Sequence, residues 1–182
     1  MIEVKNLVKS FKDGPLETRV LKGIDFTAAT GEFIAIMGRS GAGKSTLLYQ
    51  ISLLDEPTSG EIRINGRDTR AMSEREKMLF RLSEFGYVFQ DYALLPELTA
   101  LENVALPLYM QGASRAAADA KAVTALERVG LGKRLDNLPS QLSGGEQQRV
   151  SISRAIAHTP NVLFADEPTA NLDTESSATV MS

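Results

Sequence analysis

No cysteine occurs among the 182 residues, which excludes disulfides and thiolate metal sites and suits a reducing compartment. Long apolar runs are missing too: the longest unbroken one, Val104–Met110, falls far short of the ~20 residues of a membrane-spanning helix. Neither sign of charge is in excess. Twenty Lys and Arg against 23 Asp and Glu leave a net charge of −3, which gives no reason to expect a nucleic-acid surface beyond a local basic patch. The single histidine, His158, stands at the end of an expected helix before Pro160, where it reads as a C-terminal capping or surface residue. Low-complexity segments and internal repeats are absent. MIEVKNLVKSF at the start alternates as a strand does and lacks the pattern of a signal peptide. The reading is a soluble protein, or the soluble part of something larger.

What is present is ordinary globular composition, 43% hydrophobic and 24% charged, in a chain long enough for one domain with a sizeable core. Ile2–Phe11 and Val20–Ala28 read as antiparallel strands about a turn at Asp13-Gly14-Pro15. Phe33–Met37 (FIAIM) is wholly apolar, as a strand buried on both faces should be. It leads through Gly38–Gly43 into a helix with Leu47, Leu48, Ile51 and Leu54 on one side. GEIRINGRD reads as a hairpin-like stretch with Gly60 and Gly66 as turn residues. Ser73-x-x-Glu76 is a capping box heading a charged helix to about Glu84. Gly86–Phe89 and Val162–Ala165 read as two further short buried strands. Residues 94–140 read as an inserted helical subdomain, with an alanine-rich helix over Ser114–Val129 ended by Gly130. A last helix is expected from Leu172 onward. Strands alternating with helices imply an α/β fold with a mostly parallel sheet.

GRSGAGKST fits G-x-x-x-x-G-K-[ST] at Gly38, Gly43, Lys44 and Ser45. In such a loop the backbone N–H groups of Gly38, Arg39, Ser40, Gly41, Ala42, Gly43, Lys44, Ser45 and Thr46 turn inward onto phosphate oxygens. Lys44 is expected to reach the β and γ phosphates, and the Ser45 hydroxyl to ligate Mg²⁺. VLFADEP then places Asp166 and Glu167 at the carboxyl end of a buried strand, the edge at which open α/β sheets bind ligands. Pro168 is expected to keep Glu167 extended, so that the strand holds its direction through both carboxylates. Two roles separate on this reading: Asp166 holds the Mg²⁺ shell and Glu167 polarises an attacking water.

A second glycine pair opens another helix, in LSGGEQQR. Ser143-x-x-Glu146 is itself a capping box, which accounts for the serine and the glutamate. It leaves Gly144 and Gly145 unexplained, because each costs up to about 1 kcal/mol against alanine in a helix. Two in a row point to something that approaches the backbone closely.

The phosphate loop, Gln90 after an apolar strand, LSGGEQQR and ADEPTANLD, in that order, resemble an ATP-binding-cassette (ABC) ATPase over essentially the whole chain. The resemblance implies a P-loop NTPase core with an N-terminal antiparallel β subdomain and an inserted helical subdomain. It further implies that two cassettes pair head to tail, so that Ser143, Gly144, Gly145 and Glu146 of one close on the nucleotide held by the other. By the same resemblance Gln90 senses Mg²⁺ and the attacking water and links to a membrane partner. Asp173, in the Asn171-Leu172-Asp173 loop, crosses the dimer interface. Phe11 sits where the family stacks an aromatic on adenine, a position that equally suits a core residue of the first sheet. The family continues past this loop through a helix, a core strand and a further histidine, so a cassette ending at Ser182 is expected to be incomplete.

YALLPELTALENVALPL and ADEPTANLD are similar to the subfamily serving lipoprotein release, macrolide-type efflux and cell-division permeases. That resemblance implies a Mg²⁺-dependent ATPase, peripheral on the cytoplasmic face of the bacterial inner membrane, energising a separate or fused permease as a homodimer, with no nucleic-acid partner. The readings left open beside it are a non-hydrolysing nucleotide-binding module and a non-transport ABC ATPase.

Overall fold

The computed structural model describes residues 1–169. The helix expected from Leu172 and the loop holding Asp173 lie outside them. Two compact units divide the chain, Met1–Leu79 and Phe80–Ser182.

The first unit is an antiparallel sheet in the order β2-β1-β3-β4, built from β1 (Ile2–Asp13), β2 (Leu16–Ala28), β3 (Ser59–Ile64) and β4 (Arg67–Asp68). β1 and β2 close about Gly14-Pro15, with Asp13 opposite Leu16. The β1 alternation buries Ile2 and Val4, then shifts register at Asn6, whose φ is +47°, so that Leu7 takes the inward position. Asn65 and Gly66 both have positive φ, the requirement of a tight two-residue hairpin turn between β3 and β4. Helix α1 (Lys44–Ile51) buries Leu47 and Ile51. α2 (Glu74–Glu84) starts at the expected box: the Ser73 N–H donates to Glu76 Oε2 at 2.8 Å, and Ser73 Oγ accepts from the Glu76 N–H at 3.3 Å.

Gly60, expected at a turn, lies inside β3. Two further expectations fail in this unit. Leu54 is not on the apolar side of α1. The helix stops at Ile51, Leu53 turns left-handed at φ +59°, and the Leu53 and Leu54 N–H groups bond back to Gln50 and Tyr49. That Schellman-type closure directs Leu54 to solvent. Phe33–Met37 forms no strand, and Phe33 and Met37 are 88% and 90% exposed. A strand buried on both faces needs a ladder partner, and among the described residues none pairs with this segment.

The second unit pairs β5 (Phe85–Val88) with β6 (Val162–Ala165) in parallel, Phe85 opposite Val162 and Val88 opposite Ala165. Phe85 meets Phe80 and Phe164 edge to face at 5.3 and 5.1 Å. Beside this pair lies a helical cluster of α3 (Ala100–Met110), α4 (Arg115–Arg128) and α5 (Gly144–Ile156), its core built from Val104, Leu108, Ala118, Ala122, Leu126 and Val150. The small alanines along α4 let it sit close against α3. Ser114 caps α4, and Gly130 at φ +76° follows its end, as the sequence implies. His158 is not a surface residue. It is half-buried beneath the end of α5, and its Nε2 meets the Phe85 carbonyl at 3.0 Å, because β5 passes there.

Candidate active site

The phosphate loop sits in the first unit, between Phe33–Met37 and α1. Gly43 takes φ +89° as the residue before α1, and a Cβ there would stand 2.9 Å from Val20 Cγ1 on β2. Glycine is therefore demanded twice, by the backbone angle and by the packing. The first turn of α1 has no acidic residue and no side-chain cap. Its leading N–H groups and the positive end of its dipole thus remain suited to an anion. Arg39, Ser40, Gly41 and Ala42 are exposed, while Lys44, Ser45 and Thr46 are half-buried. The Lys44 ammonium folds back to donate to the Gly38 and Arg39 carbonyls at 3.2 and 3.4 Å, which keeps its charge over the loop.

A second group of residues lies in the other unit, at the carboxyl edge of β5 and β6. Parallel pairing brings the ends of both strands to one edge, so Gln90, two residues past β5, and Asp166-Glu167, directly past β6, emerge together. The Asp166 N–H donates to the Val88 carbonyl at 3.0 Å, which extends the ladder by one residue. Asp166 is 4% exposed and Glu167 is exposed, so one carboxylate faces inward and its neighbour faces solvent.

Glu167 is not extended. Its φ is +46°, and the strand ends before it. The preference imposed by Pro168 is overridden by a turn in which the Pro168 carbonyl accepts a 2.7 Å hydrogen bond from Gln148 Nε2 on α5.

The glycine pair of LSGGEQQR, the signature stretch, opens α5 as expected. Ser143 Oγ accepts from the Glu146 N–H at 3.2 Å, and the Ser143 N–H donates to Glu146 Oε2 at 2.8 Å. Arg134 Nε donates to the other carboxylate oxygen at 3.0 Å. The Ser143 N–H bond chiefly, joined by the Ser143 hydroxyl and Arg134, holds the Glu146 carboxyl below its ordinary range against a smaller opposing effect of burial. Gly144 and Gly145 follow in the first turn, half-buried. Phe11 is 47% exposed, with the Lys9 ammonium 5.1 Å from its ring centre. That removes the core-residue reading of Phe11.

Three residues that the sequence reading passed over shape these loops. Arg154 donates Nη1 to the Ala93 carbonyl at 2.6 Å and Nη2 to the Tyr92 carbonyl at 2.8 Å. Tyr92 and Ala93 both have positive φ, +64° and +48°. Such angles cost about 1–3 kcal/mol per non-glycine residue. Two hydrogen bonds from a charged group, worth about 1.5–3 kcal/mol each, are of the size needed to hold them. Asn103, fully buried, donates to the carbonyls of Leu95, Leu98 and Thr99 and accepts from the Leu95 N–H, fixing the rest of the segment that follows Gln90. Gln148 is the third. It is fully buried on α5, and a glutamine within QQR carries no local signal of burial.

A family model described as ABC transporter matches residues 21–170. An uncharacterized ABC transporter ATP-binding protein of Methanocaldococcus jannaschii is 50% identical over the whole chain, which spans 81% of that protein. A lipoprotein-releasing system ATP-binding protein, LolD, of Shewanella frigidimarina is 47% identical over 97% of the chain and 74% of its own length. The macrolide export ATP-binding/permease protein MacB of Marinobacter nauticus is 49% identical, and the chain spans 28% of it. Among solved structures, a dimeric post-hydrolysis state of an ATP-binding cassette bound to ADP and Pi superposes with a TM-score of 0.94 at 40% identity, covering all of this chain and 80% of that one. The fold is accordingly the α/β cassette with its antiparallel N-terminal sheet, and the chain belongs to the ABC transporter family as an ATP-hydrolysing, ATP-binding subunit.

Proposed function

We propose that the chain, as one cassette of a head-to-tail homodimer, energises a membrane permease of the lipoprotein-release or macrolide-export kind from the cytoplasmic face of the inner membrane. LolD and MacB are named for those two systems, and the first carries no permease of its own in its name while the second does. Among the described residues no helix is long and apolar enough to cross a membrane, in keeping with a permease supplied by another polypeptide or another domain.

In this reading the backbone of Gly38–Thr46 holds the ATP phosphates and Lys44 places its charge on the β and γ groups. Ser45, Asp166 and Gln90 offer hydroxyl, carboxylate and amide oxygens, the hard donors that suit Mg²⁺, which would neutralise phosphate charge there. Glu167 orients the attacking water and takes its proton, and Phe11 stacks on the adenine. Ser143, Gly144 and Gly145 close on the γ-phosphate held by the second cassette, and Asp173 lies at the interface. Arg134 neutralises Glu146, so the acidic residue of the signature does not repel the phosphates. Residues 94–140 form the helical subdomain that, with Gln90, faces the permease.

The observation that carries this reading is the split between neighbouring carboxylates, Asp166 buried and Glu167 exposed at one strand end. A metal-shell ligand and a water-facing base need those two environments. The test is Glu167→Gln in the full-length protein. ATP affinity is expected to persist while hydrolysis falls by about 10²–10⁴-fold, the usual share of a general base. Turnover at the parent rate would contradict it.

A further inference from the structure

One helix grips both loops that hold the hydrolytic residues of its unit, and it does so with one buried and one half-buried polar side chain. Gln148, 1% exposed, donates Nε2 to the carbonyl of Pro168, the residue after Glu167. Arg154, on the same helix, bridges the carbonyls of Tyr92 and Ala93, just beyond Gln90. The first turn of that helix is the signature, Ser143 to Glu146.

We propose that Gln148 and Arg154 are positioning residues for ATP hydrolysis, through which α5 sets the Glu167 turn and the Gln90 loop. The proposal rests on the reading of Glu167 as base and Gln90 as the water-sensing residue.

Three observations support it. Gln148 Oε1 is buried with no partner among the described residues. An amide kept at that cost points to a need for the donor it does use, since an apolar side chain of equal length would avoid the penalty. Next, Glu167 has positive φ directly before a proline, and the Gln148 bond is the contact that holds the following carbonyl in that turn. Lastly, the Arg154 guanidinium is directed at two successive carbonyls of a strained pair, a geometry that its planar fork spans and an ammonium does not. A signature held by the partner's nucleotide therefore shares one rigid element with both hydrolytic loops, and a shift of α5 moves them together.

The experiment uses the full-length protein with four substitutions: Gln148→Met, Gln148→Glu, Arg154→Met and Arg154→Lys. For each, kcat and KM for ATP, nucleotide affinity and melting temperature are measured. The expected result for Gln148→Met and Arg154→Met is a fall in kcat of about tenfold to a hundredfold, as for a misplaced reacting group. KM and nucleotide affinity should stay within about twofold, because the phosphate loop is untouched. Arg154→Lys should recover only part of the loss. Gln148→Glu should regain turnover as pH falls, since only the protonated carboxyl can donate to the Pro168 carbonyl, and the parent should show no such gain.

The proposal is overturned if folded Gln148→Met and Arg154→Met keep kcat within about twofold of the parent. It is also overturned if their losses merely track lower melting temperature and fewer nucleotide-binding molecules, or if Gln148→Glu shows the pH profile of the parent. Glu167→Gln run in parallel separates the two readings. If that variant hydrolyses ATP at the parent rate, the base assignment fails and the positioning role fails with it. If it is inactive while Gln148→Met is fully active, the positioning role fails alone.

Discussion

The main-chain carbonyl oxygen of Ala155 lies 2.2 Å from the point where a Cβ on Gly86 would stand. Helix α5 thus rests directly on the backbone of β5, and no side chain larger than hydrogen fits between them. Gly86→Ala should force the helix off the strand. The expected cost is about 1–3 kcal/mol of unfolding free energy, typical of overpacking. ATPase activity should fall as well, since the same helix carries the signature. Denaturant unfolding of the two proteins checks this; a change below about 0.5 kcal/mol, the range of neutral surface substitutions, would contradict the packing.

Lys44→Ala removes the cation that sits over the phosphate loop. ATP affinity should drop by about tenfold or more, or about 1.4 kcal/mol. Equilibrium titration with a fluorescent ATP analogue measures it. A change under about threefold, roughly 0.7 kcal/mol, would remove the lysine from the phosphate site.

Much of this site was legible because its signals are local. The start of α1 after Gly43, the capping boxes at Ser73 and Ser143, and the end of α4 at Gly130 each depend on a few neighbouring residues. So do the short strands β5 and β6, whose apolar runs are bounded by turn residues. Where the sequence reading failed, a distant partner decided. FIAIM has the composition of a doubly buried strand, but whether it is one depends on which strands lie beside it. Pro168 favours an extended Glu167 until an amide twenty residues earlier in the chain takes the next carbonyl. Gln148 and Arg154 look like solvent-facing positions on an amphipathic helix. They are polar because the elements packed on α5 there present main-chain carbonyls.

His158 links stability to pH. Burial lowers its pKa from about 6.5, and its hydrogen bond to the Phe85 carbonyl offsets this only in part. The folded state therefore favours the neutral ring, while the unfolded chain takes up a proton as pH drops through about 6.5. The contribution is fully present above that pH and is lost as pH falls through the lower folded value. His158→Gln should remove this component. Urea midpoints at about pH 7.5 and 5.5 should then differ more for the parent than for the variant. Equal differences would contradict the burial of the ring.

Phe33 and Met37 expose apolar surface that monomeric proteins usually cover. Residues 1–182 made as such should bind a hydrophobic dye and aggregate on warming. Phe33→Ser with Met37→Ser should reduce dye binding. Dye fluorescence unchanged by the substitutions would place the exposed apolar surface elsewhere.

In the proposed function Glu167 drives hydrolysis in a dimer whose signature closes on the partner's nucleotide. Glu167→Gln in the full-length protein tests it most directly, by sizing chromatography with and without ATP. Uncleaved ATP should hold two cassettes together, so a monomer without nucleotide becomes a dimer with ATP and reverts when ATP is removed. A monomer at every ATP concentration would contradict the account.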